Sequence, residues 1–149
     1  MNLPDLLVTN LRAYFLTAVP AGLEALAESV RLKDEVTEVP CPRLIIRAGD
    51  PKRMVNMPKT SRVPITIELV SSKDADAAPD AHRALSGLLD AWVLSLLSHR
   101  RENPGVLTDL FLHDWLIMQP IDTDHDERRE QSTQYRVEAI VTVYEPELI

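Results

Sequence analysis

A strand followed by a long amphipathic helix, in residues 61–100, restricts the possible folds of this chain more than any other feature. Residues 61–70 alternate polar and apolar side chains, as on a strand with one buried face. Further along, apolar residues recur at helical spacing: Leu85, Leu88, Leu89, Trp92, Val93, Leu96 and Leu97. The pattern predicts a long core helix over about 81–101 that packs against the sheet.

Five further segments show helical or strand periodicity. Apolar spacing predicts helices over 3–18 and 22–32, and alternation predicts strands over 41–48, 110–121 and 133–145. The polar segments between them, 49–61 and 122–132, are predicted loops. Because the strands come in sequential pairs, we expect an α+β fold, with a mostly antiparallel sheet of about four strands and helices packed on one face. A length of 149 residues suits a single domain over 1–149.

The composition is that of a soluble globular protein and argues against several classes. A formal net charge of −7 is the opposite of the basic footprint of a general nucleic-acid binder. The single cysteine, Cys41, cannot form an internal disulfide, so a reducing compartment is expected. No apolar run approaches the roughly 20 residues that span a bilayer, and the N-terminal apolar stretch lacks the basic flank of a signal peptide. With only 4 glycines, the chain contains no glycine-rich phosphate-binding motif.

Two groups of acidic residues could suggest a metal site. The run Asp122–Glu127 holds four acids and one histidine, but it lacks the turn glycine and spaced glutamate of a calcium loop. Arg128 and Arg129 follow at once, so a solvated hairpin loop is favoured. The second group, Glu68, Asp114 and Glu138, lies on three predicted strands and could hold magnesium for hydrolysis. Such a nuclease would also need a lysine close to one of the acids, and none stands near Asp114 or Glu138. Polar residues on a strand face are therefore the favoured explanation, and we expect no metal and no cofactor.

The four histidines show no arrangement typical of a metal or catalytic site. His82, His99, His113 and His125 share no ligand spacing such as i, i+4 on one helix. No nucleophile-elbow pattern is present. The sequence therefore predicts a protein that is not an enzyme.

The segment 43–62 is the strongest functional candidate. Six basic residues lie in it against one acid, Asp50, although the chain as a whole is acidic: Arg43, Arg47, Lys52, Arg53, Lys59 and Arg62. Met54, Val55 and Met57 lie among these charges, and exposed methionines adapt to partner surfaces. Two interpretations remain open. The segment is a solvated loop, or it is a docking arm for an acidic neighbouring subunit or for the DNA backbone.

The layout of the whole chain resembles the tail-terminator and tail-completion proteins of tailed bacteriophages, the small head–tail joining proteins of the neck. The resemblance rests on a helix that begins almost at residue 1, a strand–long loop–strand unit at 41–70, and the long Ala81–Arg101 helix followed by Leu112–Ile121 and Tyr135–Glu145. The closing pattern Gln134–Tyr144 looks like the final strand of such proteins.

The resemblance implies a structural virion protein, assembled in the bacterial cytoplasm, with neither a cofactor nor a membrane partner. Proteins of this family form rings, typically hexamers, that contact a neighbouring neck or connector ring and the tail tube protein. DNA passes through the channel without specific binding, and an acidic lumen would repel it. The expected subunit or ring contacts are Lys52, Arg53, Met54, Val55, Met57 and Lys59, with Asp122, Asp124, Asp126 and Glu127 as their acidic complement.

Two functions of other classes stay open. The chain could be a small cytosolic α+β adaptor or regulatory domain, or a metal-dependent hydrolase that uses the strand acids. Assembly state separates the ring from the adaptor, and metal-dependent turnover identifies the hydrolase. Within the family, the sequence does not distinguish a terminator from a head-completion ring, nor does it say which loops face the lumen.

Overall fold

The computed structural model describes residues 2–17, 19–27, 30–32, 42–57, 59–73, 78–99, 110–125 and 129–143. The helices in these ranges are α1 (Leu3–Thr17), α2 (Glu24–Ala27) and α3 (Ala78–Ser95), which continues as a 3₁₀ turn over Leu96–Ser98. The strands are β1 (Val30–Leu32), β2 (Arg43–Ala48), β3 (Lys52–Arg53), β4 (Thr60–Ser72), β5 (Leu110–Ile117), β6 (Ile121–His125) and β7 (Glu130–Val143).

All of these strands belong to one sheet, in the order β1-β2-β4-β7-β5, with β3 also paired to β4 and β6 to β7. The parallel β1–β2 pair is the exception, and every other pair is antiparallel. The predicted α+β class and mostly antiparallel sheet are confirmed. The predicted number of about four strands is wrong, because short strands occupy segments that were expected to be a helix end or loops.

The helices α1 and α3 pack on the same face of the sheet and on each other. Phe15 of α1 meets Trp92 of α3 edge to face, with ring centroids 5.2 Å apart. Leu89 is fully buried and Trp92 is 6% exposed, as the sequence pattern predicted. Inward-facing residues of β4 and β7, such as Ile67 and Val137, complete the core beneath them. Burial of these apolar surfaces supplies the main stabilisation of the fold.

The long core helix differs from its prediction in both bounds and pattern. It begins at Ala78 and ends at Ser95, and residues 100–109 lie outside the described ranges. Near its end, the hydroxyl groups of Ser95 and Ser98 donate to the carbonyls of Trp92 and Ser95, at 2.5 and 2.7 Å. Such local bonds compete with continued α-helical pairing. The apolar stripe is also incomplete, because Leu88 is 40% exposed.

The second predicted helix, 22–32, is wrong over most of its length. One turn of helix, Glu24–Ala27, follows a turn in which Gly22 has φ +92° and donates its N–H to the Glu24 carboxylate. A side chain at Gly22 would collide with Leu88, since a Cβ there would lie 2.6 Å from its Cδ1 atom. Val30–Leu32 instead pairs with Leu44–Ile46 as a parallel edge strand. Pairing with β2 here overrides a weak helical pattern.

A bulge in β5 places two large residues on the same face. Leu112 pairs with Val141 and Asp114 with Ile140, so His113 is an extra residue in the strand. Leu112 and Trp115, three positions apart, are therefore both buried, at 7% and 2% exposure. In a regular strand they would point to opposite faces.

Candidate functional site

The basic segment folds as an ordered hairpin arm rather than as a long loop. We define the arm as residues 49–60. At its base, Gly49 donates its N–H to the Pro64 carbonyl at 2.8 Å, and Lys52–Arg53 pairs with Ser61–Arg62. At its tip, the Met54 N–H donates to the Thr60 carbonyl, and Lys59 adopts a positive φ of 60° to complete the turn. These backbone bonds give the arm a defined shape, which corrects the predicted loop 49–61.

The six cations of the segment divide into two groups. Three of them form ion pairs across the helix-free face of the sheet: Arg43 with Glu130 and Arg47 with Glu68, both at 2.9 Å, and Arg62 with Glu138 at 2.6 Å. The charges of these three arginines are therefore balanced by glutamates within the sheet. In the described part of the chain, Lys52, Arg53 and Lys59 have no ion-pair partner. The basic surface is thus narrower than the sequence suggested.

The apolar residues of the arm are placed at its tip. Val55 is 98% exposed, the most exposed large apolar side chain in the described structure. Met54 and Met57 are half-buried, and the Met57 N–H donates to the Met54 carbonyl across the tip. Single exposed apolar side chains are normal on protein surfaces, so it is the combination of Val55 with the neighbouring cations that makes the arm a candidate contact surface.

The acidic stretch predicted as a loop is partly a strand. Asp122 and Asp124 lie on β6, paired with Thr133 and Gln131 of β7, while Asp126 and Glu127 lie outside the described residues. Asp122 accepts a hydrogen bond from the Thr133 hydroxyl at 2.6 Å, and Asp124 pairs with Lys73 at 3.2 Å. No ion pair joins either aspartate to the described residues of the arm in the same subunit.

A polar network at the other end of β4 was not found from the sequence. It joins Ser71, His82, Thr133 and Asp122, and we call these four residues the polar network. His82 Nδ1 lies 2.8 Å from the Ser71 hydroxyl, and His82 Nε2 lies 2.8 Å from the Thr133 hydroxyl. The Thr133 proton is directed to Asp122, so Nε2–H donates to Thr133 and Ser71 donates to Nδ1. Both ring nitrogens of His82 are thereby engaged.

Burial controls the charge of this histidine. His82 is 8% exposed, and desolvation lowers its pKa from the ordinary value of 6.5, with Asp122 opposing the shift. The pKa of nearby Tyr135 is raised, chiefly because burial disfavours the phenolate. The Tyr135 hydroxyl donates to the Ser86 carbonyl of α3 at 2.8 Å. These bonds fasten the N-terminal half of α3 to the sheet.

A polar pocket of about 240 Å³ opens beside the network, between α3 and the β6–β7 hairpin. His82, Arg83, Ser86, Asp122, Asp124 and Gln131 contribute to its wall. Arg83 forms a long, exposed contact of 3.7 Å with Asp80. Since the His82 nitrogens, the Asp122 carboxylate and the Asp124 carboxylate already have partners within the chain, the pocket wall is held together by internal bonds.

The strand acids considered for hydrolysis are dispersed. Glu68 and Glu138 are ion-paired to arginines, and Asp114 accepts the N–H of Trp115 at 2.8 Å. Within the described ranges, no group of three or more histidine, cysteine or acidic side chains is arranged to hold a metal ion. His99 lies 3.0 Å from the Tyr14 hydroxyl, and His113 lies 2.7 Å from Thr142, so these two histidines belong to separate contacts.

No protein-family model matches this chain, and no curated protein matches it. Among the described residues, no helix is both long and apolar enough to cross a membrane.

Proposed function

We propose that this chain is a structural subunit of a ring at the head–tail junction of a tailed bacteriophage, a tail-terminator or tail-completion protein. The observation that carries the assembly role is the arm, an ordered hairpin on which Val55 is almost fully exposed and Lys52 and Arg53 have no ion-pair partner among the described residues. The resemblance in layout supplies the phage setting. In this role the protein works through binding and geometry, without a cofactor.

A closed ring requires two different, complementary patches on each subunit. Such a heterologous interface repeats around the ring until the rotation closes. The arm offers a basic and apolar patch, and β6 offers the exposed acid Asp124, whereas Asp122 is engaged by Thr133 in the polar network. Exposed ion pairs alone are worth about 0–1 kcal/mol, so Met54, Val55 and Met57 supply most of the energy while the charges set register.

The remaining partners follow from the same proposal. One face of the ring contacts a neck or connector ring, and the other contacts the tail tube protein. A net charge of −7 favours a lumen that repels DNA and lets it slide. The virion is the final location, after assembly in the host cytoplasm.

Charge reversal on the arm tests the proposal. The wild-type chain is expected to form a hexamer of about 101 kDa, six times its 16.8 kDa, or to join its partner ring during virion reconstitution. The double change Lys52→Glu with Arg53→Glu should weaken assembly at least about tenfold while the fold stays intact. Lys52→Arg with Arg53→Lys is the matched control, because it changes the same two exposed side chains and keeps both charges.

Sedimentation and light scattering, with circular dichroism melts, give the readout. A charge-reversed arm variant that assembles as well as the charge-preserving control contradicts the proposal and leaves the arm as a solvated hairpin. A wild-type chain that is monomeric in sedimentation and inert in virion reconstitution favours the adaptor alternative instead.

A further inference from the structure

We infer that the tip of the arm is a docking surface for residues 144–149 of the same chain, and that a neighbouring subunit must displace this intramolecular cover. The segment 144–149 has the sequence Tyr-Glu-Pro-Glu-Leu-Ile and follows β7 directly. The contact itself is independent of the proposed ring. Its effect on assembly rests on the proposed function, because it concerns how available the arm is to a partner.

The segment 144–149 starts beside the tip of the arm. Thr142 of β7 pairs with Thr60, the last residue of the arm, and the two hydroxyl groups lie 2.6 Å apart. Because β4 and β7 are antiparallel, β7 advances past Thr142 in the direction in which β4 leads back to the tip. The tip and the segment therefore leave the sheet at the same end and from neighbouring strands.

Continued β-pairing cannot account for a contact along the whole segment. Lys59 has a positive φ of 60°, so the chain departs from strand geometry directly before Thr60. Pro146 has no N–H with which to extend a ladder. A contact between the tip and the segment is therefore made mainly by side chains.

The segment is long enough to reach the far side of the tip. Met54 donates its N–H to the Thr60 carbonyl, so the Cα atom of Val55 lies within about 10 Å of the Cα atom of Thr60. The pairing of Thr60 with Thr142 adds about 5 Å. An extended chain from Thr142 to Leu148 spans roughly 20 Å, which is more than the sum of these two distances.

The tip and the segment are complementary in charge and in apolar character. Residues 51–59 carry three cations and no acid, whereas residues 144–149 carry two glutamates and no cation. Each also carries three large apolar side chains: Met54, Val55 and Met57 on the tip, and Tyr144, Leu148 and Ile149 on the segment. Opposite charges around an apolar contact raise its rate of formation and fix its register.

The short tether favours this segment over the same segment of another copy. For a short linker the effective concentration is on the order of millimolar, far above the micromolar range of a second copy in solution. A contact with a dissociation constant of about 1 mM is then formed in about half of the molecules. Val55 is 98% exposed, so the structure shows the arm in its open form. Covering half of the arms lowers the apparent affinity for a neighbour about twofold.

Disulfide trapping in dilute protein tests the contact, in a background in which Cys41 is replaced by serine. Val55→Cys with Leu148→Cys should form a disulfide within one chain, at a rate that does not change on dilution. Thr123→Cys with Leu148→Cys is the matched control. Thr123 is exposed, but it pairs with Ser132, roughly 33 Å along β7 from Thr142 and beyond the reach of the segment. The control should crosslink at least about tenfold more slowly.

Charge changes in the segment give a second measurement. Glu145→Lys with Glu147→Lys should slow the crosslinking of the Val55 and Leu148 cysteines at least about threefold. In the chain without these cysteines, the same change should lower the concentration needed for half-assembly about twofold, because the arm is released. Glu145→Asp with Glu147→Asp keeps both charges and should behave as the wild type in both experiments.

The outcomes separate the cover from the ring. Equal crosslinking rates at positions 55 and 123, or disulfides formed only between chains, overturn the intramolecular cover and leave the ring proposal standing. Rapid crosslinking within one chain, in a protein whose wild type neither assembles nor joins virions, supports the cover and overturns the ring.

Discussion

The two ends of β4 differ in where the polar and charged side chains around them find partners. At its first residue, Thr60, the strand closes an arm whose lysines and arginine lack ion-pair partners in the described structure. Near its last residue, Ser71 enters a network in which His82 and Thr133 bond to each other. In our proposal the charges at the first end contact another molecule, whereas the polar groups at the second end are satisfied within the chain. Stability and assembly should therefore respond to changes at different ends.

The largest expected effect on stability lies in the core between the two ends. Trp92→Ala should lower the free energy of unfolding by about 3–5 kcal/mol, because Trp92 contacts Phe15 and Tyr14 and is 6% exposed. Urea denaturation followed by circular dichroism measures the loss. A cost below about 1 kcal/mol would mean that the site collapses without a cavity and that α3 contributes little to the core.

The second-largest loss of stability is expected from a change in the polar network. His82→Ala removes a partner from both Ser71 and Thr133, and each unsatisfied buried group costs about 1–3 kcal/mol. Assembly should be unchanged once the variant is folded at a temperature well below its melting point. A stable variant that fails to assemble would place the network in the interface and end the contrast between the two ends.

The network also predicts a dependence of stability on pH. The pKa of folded His82 lies below 6.5 because of burial, so the unfolded chain binds the proton more readily. Stability is therefore fully present above about pH 6.5 and declines as the pH falls below it, by at most about 1.4 kcal/mol per pH unit. Denaturation between pH 5 and 7.5 should show this slope in the wild type and a smaller one in His82→Gln. Equal slopes would show that other groups control the acid response.

Regular periodicity explains what could be predicted from the sequence. β4 and α3 were predicted from regular patterns of apolar residues. Around Ile67 an apolar residue stands at every second position, and around Leu89 and Trp92 apolar residues recur at helical spacing. β6 was missed because Asp122–His125 is entirely polar, and its partner strand defines it. The polar network was not predicted because its members are far apart in sequence: His82 is 11 positions from Ser71 and 51 positions from Thr133.

The segment that forms the arm was recognised from its composition, but its hairpin structure and its ion pairs were not predicted, and its role as a contact stays a prediction. Composition counted Arg43, Arg47 and Arg62 with the docking cations, although each pairs with a glutamate on another strand of the sheet. Alternation of charge on a strand does not reveal which glutamate lies opposite, because register depends on long-range pairing. The expected contacts Asp126 and Glu127 lie outside the described residues, and the ring itself stays a prediction.

The smallest expected effect on stability belongs to the tip of the arm. Val55 is 98% exposed, so Val55→Ala should change the free energy of unfolding by no more than about 0.5 kcal/mol. The same change removes apolar contact area from the proposed interface and should weaken ring formation measurably. Matched denaturation and sedimentation experiments on one preparation compare the two effects. If the free energy of unfolding falls by more than about 1 kcal/mol, the tip packs against its own subunit. The arm would then be stabilised by contacts within the chain, as the other end of β4 is, and would not be a free surface for a partner.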